Sequence, residues 1–252
     1  MERNGFAIQF EDVHKAFDDN EVLNGLNLQV PWGQVTTILG PSGCGKSVTL
    51  KHVIGVLQAD AGRVVVDGHD MNSIKHKELL ELRKRIGVLF QSSALFDSMT
   101  VMENVAFGLR MHTRTPEAAI VAKVEECLEE VELPGSKDMM PVDLSGGMRK
   151  RAALARAIAL SPDIVLYDEP TTGLDPRTAN VVGELILKLQ RDLDITSVVV
   201  THDIPLTLRV SDQITLIQDG REAASGTREE IQKSAAYQLF VAGERGGEDE
   251  VA

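Results

Sequence analysis

Cysteine is nearly absent: the 252 residues hold only Cys44 and Cys127. Two thiols build no disulfide framework, so a reducing compartment is the natural setting. Long hydrophobic runs are missing too. No stretch reaches the roughly 18 apolar residues that cross a bilayer. The opening Met1-Glu2-Arg3-Asn4-Gly5 has no apolar segment behind it, which argues against a secretory signal. Basic charge is scarce, with 26 Lys and Arg against 38 Asp and Glu and a formal net charge of -12. That acidic sum speaks against broad electrostatic binding to nucleic acid or anionic lipid. There is no internal repeat and no low-complexity segment. The remaining balance, 43% hydrophobic and 25% charged, is that of a soluble globular protein. Its length suits one large α/β domain or two small ones, and a cytoplasmic location is expected.

Period-two alternation over Ala7–Val13 and again over Val22–Val30 predicts half-buried strands. Val35-Thr36-Thr37-Ile38-Leu39 is apolar enough to be buried on both faces. A glycine-rich loop follows, then a helix expected over about Ser47–Leu57, and a hairpin strand at Ala61–Gly68. Lys75–Lys84 reads as a charged helix and Ile86–Phe90 as a strand. The next 65 or so residues carry helical patterns only, clearest at Val101–Leu109 and Pro116–Val131. Strand signals return at Asp163–Asp168, Thr196–Thr201 and Gln213–Ile217. A helix at about Asn180–Leu193 supplies a parallel crossover between the first two. Gly243–Ala252 is small and acidic and is expected to be a disordered tail.

Gly40-Pro41-Ser42-Gly43-Cys44-Gly45-Lys46-Ser47 fits GxxxxGK[ST], placed after a buried strand and before a helix, which is the context the pattern needs. Glycines let successive backbone N–H groups turn inward around an anion, and the helix N-terminus adds partial positive charge. Lys46 is then placed to reach β- and γ-phosphates, and the Ser47 hydroxyl to ligate Mg²⁺. Cys44 reads as a small filler whose backbone amide does the binding. Downstream, Ile164-Val165-Leu166-Tyr167-Asp168-Glu169 is an apolar strand delivering two carboxylates at its C-terminal end, the edge where open α/β sheets bind ligands. Asp168 suits the Mg²⁺ shell. Glu169, facing the other way by strand alternation, suits a base that orients water.

Leu144-Ser145-Gly146-Gly147-Met148, followed by the basic run Arg149, Lys150, Arg151 and Arg156 and then by Asp168-Glu169, resembles the signature of ABC-transporter ATPases. The other motifs stand in order. Gln91 resembles the family's Q-loop glutamine, Gly173-Leu174-Asp175 its D-loop, and His202 its switch histidine, while Phe17 sits where the family stacks an aromatic ring on adenine. The resemblance spans about residues 6–242 and implies an α/β P-loop NTPase. Its parts are a RecA-like parallel-sheet core, an antiparallel β edge and an inserted helical subdomain at about 92–158.

The implied roles follow the motifs. ATP is held by Phe17, Gly40, Pro41, Ser42, Gly43, Cys44, Gly45, Lys46, Ser47, Val48, Gln91, Ser145, Gly146 and Gly147. Mg²⁺ is held by Ser47, Gln91 and Asp168. Glu169, His202 and Lys46 carry hydrolysis. Ser145-Gly146-Gly147 at a helix N-terminus forms a second anion site. In the family it caps the γ-phosphate bound by a second copy packed head-to-tail. Val48 stands where the family has a second hydroxyl residue, which removes one bond to the α-phosphate. Met148 replaces a common Gln.

The apolar segment from Leu89 to Val105 lies where the family grips its membrane subunit. With Met139-Met140-Pro141 and the wording from Gly147 to Leu160, the chain resembles the Mla/Mce-type phospholipid-transport ATPases. That resemblance implies an integral membrane permease, an MCE-type lipid-binding subunit, a small cytoplasmic regulatory subunit, and a place on the cytoplasmic face of the inner membrane. The alternative is an ATPase for another solute, such as an amino acid. Cassettes of translation or repair fuse two copies or insert a coiled coil, and this chain does neither, so no nucleic-acid partner is expected.

Overall fold

The computed structural model describes residues 5–248, with side chains described as far as 243. The chain begins β1 (Phe6–Phe17), β2 (Asn20–Pro31), β3 (Val35–Leu39), α1 (Lys46–Val53), β4 (Ala61–Val66), β5 (His69–Asp70) and α2 (His76–Lys84). Next come β6 (Ile86–Leu89), α3 (Val101–His112), α4 (Glu117–Glu130), a 3-10 turn at Pro141–Asp143 and α5 (Gly146–Ile158). Then follow β7 (Ile164–Asp168), α6 (Pro176–Leu193), β8 (Thr196–Thr201) and α7 (Ile204–Val210). The order closes with β9 (Gln213–Gln218), β10 (Arg221–Gly226), α8 (Arg228–Lys233) and α9 (Ala235–Glu248). Two compact units divide these elements: Met1–Lys75 with Val198–Ala252, and His76–Ser197. The division falls inside β8.

In the first unit, the alternation of β1 buries Ile8 and Phe10, and a register shift between Phe10 and Val13, with Asp12 at φ 48°, brings Val13 into the core as well. β1 turns into β2 through Asp18-Asp19, with Phe17 opposite Asn20 and Asp18 in the left-handed region at φ 52°. Short polar Asp tolerates that geometry better than a branched residue. The antiparallel sheet runs β2-β1-β4-β5, and a second group of strands runs β10-β9-β3-β8 with β3 parallel to β9. β3 is buried at every position, as a strand covered on both faces must be. α1 stops at Val53, short of the expected Leu57. Gly55 takes φ 65° there, and the N–H groups of Val56 and Leu57 both return to the Lys51 carbonyl, closing the helix end.

Tyr237 and Phe240 of α9 join Leu39, Ile214, Leu216 and Ile231 in one buried cluster, so the helix docks on this chain's own strands. That anchorage carries helical backbone as far as Glu248, where the sequence suggested a disordered tail from Gly243. The remainder of that expected tail, residues 249–252, lies outside the described residues.

In the second unit, β6 and β7 pair in parallel from Ile86 opposite Ile164 to Leu89 opposite Tyr167. α3, α4 and α5 form the helical part expected between them. They bury Leu109, Val124, Leu128, Leu154 and Ile158, each worth about 1.5–3 kcal/mol relative to exposure. Side-chain caps fix where these helices start. Thr100 and Glu103 make a reciprocal capping box on α3, Ser145 caps α5, and Asp175 caps α6 just before Pro176. No helix among the described residues is long and apolar enough to cross a membrane.

Candidate functional site

The phosphate loop belongs wholly to the first unit. β3 delivers the chain at Leu39, the loop turns through Gly40–Gly45, and α1 begins at Lys46. Gly45 takes φ 103°, and a Cβ there would lie 2.7 Å from Leu23 Cδ2, so only glycine fits both the turn and the packing. Lys46 is 6% exposed, and its ammonium donates to the carbonyls of Gly40 at 2.8 Å and Pro41 at 2.9 Å. The side chain is thus folded back over the loop rather than reaching into solvent. Burial raises the pKa of the Cys44 thiol against the opposing pull of Lys46, so the group stays a neutral filler. Ser47 is exposed in the first turn of α1. The next hydroxyl, on Thr49, donates back to the Gly45 carbonyl at 3.1 Å, so it does not replace the one that Val48 lacks.

A cavity of about 370 Å³ opens beside this loop. Pro41, Ser42, Gly43 and Cys44 line it together with Asn20–Val22 of β2 and with Gln218, Asp219 and Gly220. The last three carry no sequence motif that points to a phosphate site. Asp219-Gly220 is the hairpin signal between β9 and β10, with both residues at positive φ, but no local pattern says that this turn borders the phosphate loop. Phe17 ends β1 at 41% exposure with the Lys15 ammonium 5.5 Å from its ring centroid, and it is not among the lining residues. His202 is exposed just past β8. Beside it the Asp203 carboxylate caps α7 by accepting the Leu206 N–H at 2.9 Å.

The second unit holds the remaining motif residues. β7 ends at Asp168, and Glu169 then leaves the strand with φ 48°. Strand alternation therefore does not set where the Glu169 side chain points, because the chain is already turning into Pro170. Glu169 is 8% exposed, and one carboxylate oxygen accepts the Thr172 hydroxyl at 3.1 Å. A left-handed, non-glycine residue holding a buried carboxylate is the kind of locally costly geometry that functional sites retain. Gln91 follows β6, with Ser93 and Ala94 just beyond it at φ 63° and 47°. The Ser145 oxygen accepts the Met148 N–H at 3.2 Å, which orders the first turn of α5 and leaves the hydroxyl proton to donate elsewhere. Gly147 is buried, and a Cβ there would lie 2.3 Å from Thr178 Cγ2.

In the sequence Lys150 is one cation in a basic run, with nothing to set it apart. In the structure it is 5% exposed and donates to the Gln91 carbonyl at 2.6 Å and the Glu169 carbonyl at 3.3 Å. Arg156 donates to the carbonyls of Ala94 at 2.6 Å and Ser93 at 2.9 Å. Burial lowers the pKa of both cations. Phe90 and Phe96 are exposed nearby, with the Phe96 ring centroid 5.0 Å from that of Phe107.

Strand, phosphate loop and helix, together with a strand that ends at Asp168 and turns at Glu169 and a Ser-Gly-Gly helix start, define an ATP-binding cassette. The family profile described as ABC transporter matches residues 23–172, and the chain belongs to that family. It is an ATPase of the P-loop NTPase fold. It is 45% identical over 231 residues to the intermembrane phospholipid transport system ATP-binding protein MlaF of Haemophilus influenzae, covering 91% of this chain and 88% of that protein. With the MlaF of Escherichia coli K12 the identity is 40% over 225 residues, covering 89% and 84%. Among solved structures, a dimeric ATP-binding cassette in a post-hydrolysis state bound to ADP and Pi is similar, with a TM-score of 0.81 and 31% identity. That match covers 88% of this chain and 98% of that one.

Proposed function

We propose that this chain hydrolyses ATP to energise phospholipid transport across a bacterial cell envelope, acting as a cassette over residues 6–242. The observation that carries the proposal is 45% identity, along nearly the whole of both chains, to a phospholipid-transport ATP-binding protein. Lys46 and the loop amides hold the β- and γ-phosphates, and Phe17 stacks on adenine. Glu169 accepts the proton of the attacking water, and Thr172 steadies its carboxylate. His202 contacts the γ-phosphate and links its loss to reopening.

No group of three or more His, Cys, Asp or Glu that could hold a metal occurs among the described residues. The candidate donors Ser47, Gln91 and Asp168 are a hydroxyl, an amide and a single carboxylate. Such a hard, sparse oxygen set suits Mg²⁺, which keeps waters and phosphate oxygens in its shell. When bound, Mg²⁺ neutralises the charge that builds on the phosphate oxygens. Two copies pair head-to-tail so that Ser145-Gly146-Gly147 of one caps the nucleotide of the other, a reading supported by the dimeric state of the similar cassette. The exposed Phe90 and Phe96 support contact with a membrane permease, and on this reading the chain works at the cytoplasmic face of the inner membrane. An MCE-type lipid-binding subunit and a small regulatory subunit complete the assembly.

The test is co-purification of the chain with the products of its genomic neighbours, followed by mass spectrometry of proteins and extracted lipids. A permease, a lipid-binding partner and bound phospholipid are expected. A periplasmic solute-binding protein without lipid would replace the lipid reading with that of a solute importer.

A further inference from the structure

Glu169 and the pair Ser93-Ala94 are left-handed without being glycine. Both stretches are met by cations from the same helix. Lys150 reaches the carbonyl of Glu169 itself and that of Gln91, while Arg156 holds the carbonyls of Ser93 and Ala94. Taking a lysine out of water is unfavourable unless its donors are matched, and here they are spent on main-chain oxygens of the two segments that carry Gln91 and Glu169. Such a bond fixes where a backbone sits, not what its side chain is. Lys150 lies in the second turn of α5, the helix whose N-terminus is Ser145-Gly146-Gly147.

We propose that Lys150 is a positioning residue for ATP hydrolysis: from the helix that carries the Ser-Gly-Gly motif, its ammonium holds the Gln91 and Glu169 backbones in register with that motif. The inference rests on the roles assigned above to Gln91 and Glu169. Removing the ammonium takes a charged donor from both carbonyls, leaving the Glu169 carbonyl with the Thr172 N–H at 3.4 Å, and loosens the left-handed turn that aims the Glu169 carboxylate. Lys46 and the phosphate loop lie in the other unit and keep their own contacts. The loss therefore falls on kcat rather than on ATP binding.

The test compares Lys150→Met, Lys150→Arg and Glu169→Gln in the full chain. Steady-state ATPase assays, fluorescent-nucleotide titration and circular dichroism are run on each. Lys150→Met is expected to lower kcat roughly ten- to hundredfold, the range for losing a charged hydrogen bond, with KM and nucleotide affinity within about twofold. Lys150→Arg, which keeps a buried donor, is expected to recover most of that loss. Unchanged kcat in folded Lys150→Met overturns the proposal. So does a loss that appears in nucleotide affinity alone, or one that is equal in the Met and Arg variants. Should Lys150→Met not fold, Lys150→Gln takes its place with the same criteria. Turnover surviving in Glu169→Gln sinks the role of the carboxylate, whereas turnover lost there but kept in Lys150→Met sinks the lysine alone.

Discussion

Replacing Gly147 by Ala tests the packing of the Ser-Gly-Gly turn against α6. The added Cβ would meet Thr178 Cγ2 at 2.3 Å, well inside van der Waals contact. Thr178 is not free to swing away, because its hydroxyl donates to Asp175 Oδ2 at 2.5 Å and its N–H to Asp175 Oδ1 at 3.1 Å, within the cap of α6. Overpacking of this kind costs about 1–3 kcal/mol. Helix propensity favours Ala over Gly by up to about 1 kcal/mol, and by less this close to a helix start. The net expectation is a loss of about 1–2 kcal/mol, which for a chain of this size lowers Tm by roughly 2–8 °C. Thr178→Ser removes the offending methyl and keeps the bond to Asp175. Thermal unfolding of the two single variants and the double variant measures the coupling directly. The clash predicts that Gly147→Ala is nearly neutral in the Thr178→Ser background, with a coupling of about 1 kcal/mol or more. Additive changes in Tm would refute the reasoning.

Three further outcomes follow from the first unit. Lys46→Ala is expected to weaken ATP binding by about tenfold or more, the effect of losing charge-assisted bonds to phosphate, and nucleotide titration would show it. Cys44, buried and with a raised thiol pKa, is expected to react with iodoacetamide far more slowly at neutral pH in the folded protein than in urea. His52 packs edge-on to Phe10 and donates from Nδ1 to the Val48 carbonyl at 2.8 Å, and burial lowers its pKa below the ordinary 6.5. A depressed folded-state value means that the neutral ring's stabilisation is complete above the unfolded value and is lost as pH falls through the folded one. Tm of the wild type should therefore drop between pH 7 and pH 5 by more than that of His52→Leu.

Much of the candidate site is legible because its motifs are contiguous. The phosphate loop needs glycine, lysine and a hydroxyl within one turn of chain, and Asp168 needs only an apolar strand before it. What stayed hidden depends on contacts between residues far apart in the chain. Lys150 meets carbonyls 59 and 19 residues away, and nothing in Arg149-Lys150-Arg151 says which cation turns inward. The turn at Gln218–Gly220 announces a hairpin but not its neighbour. Strand alternation misdirects Glu169, because propensity does not reveal a left-handed residue where glycine is absent. Gly243–Ala252 reads as small and acidic, yet the helix pinned by Tyr237 and Phe240 carries on as far as Glu248.

The most direct test of the central claim is the rate of ATP hydrolysis by the full chain carrying Glu169→Gln, measured beside its nucleotide affinity. Loss of a positioned base predicts turnover reduced by about 10²–10⁴-fold, with ATP still bound and the chain shifted to a dimer in its presence. Hydrolysis at the wild-type rate would contradict the account, since it would take the base away from the one carboxylate that this turn is built to hold.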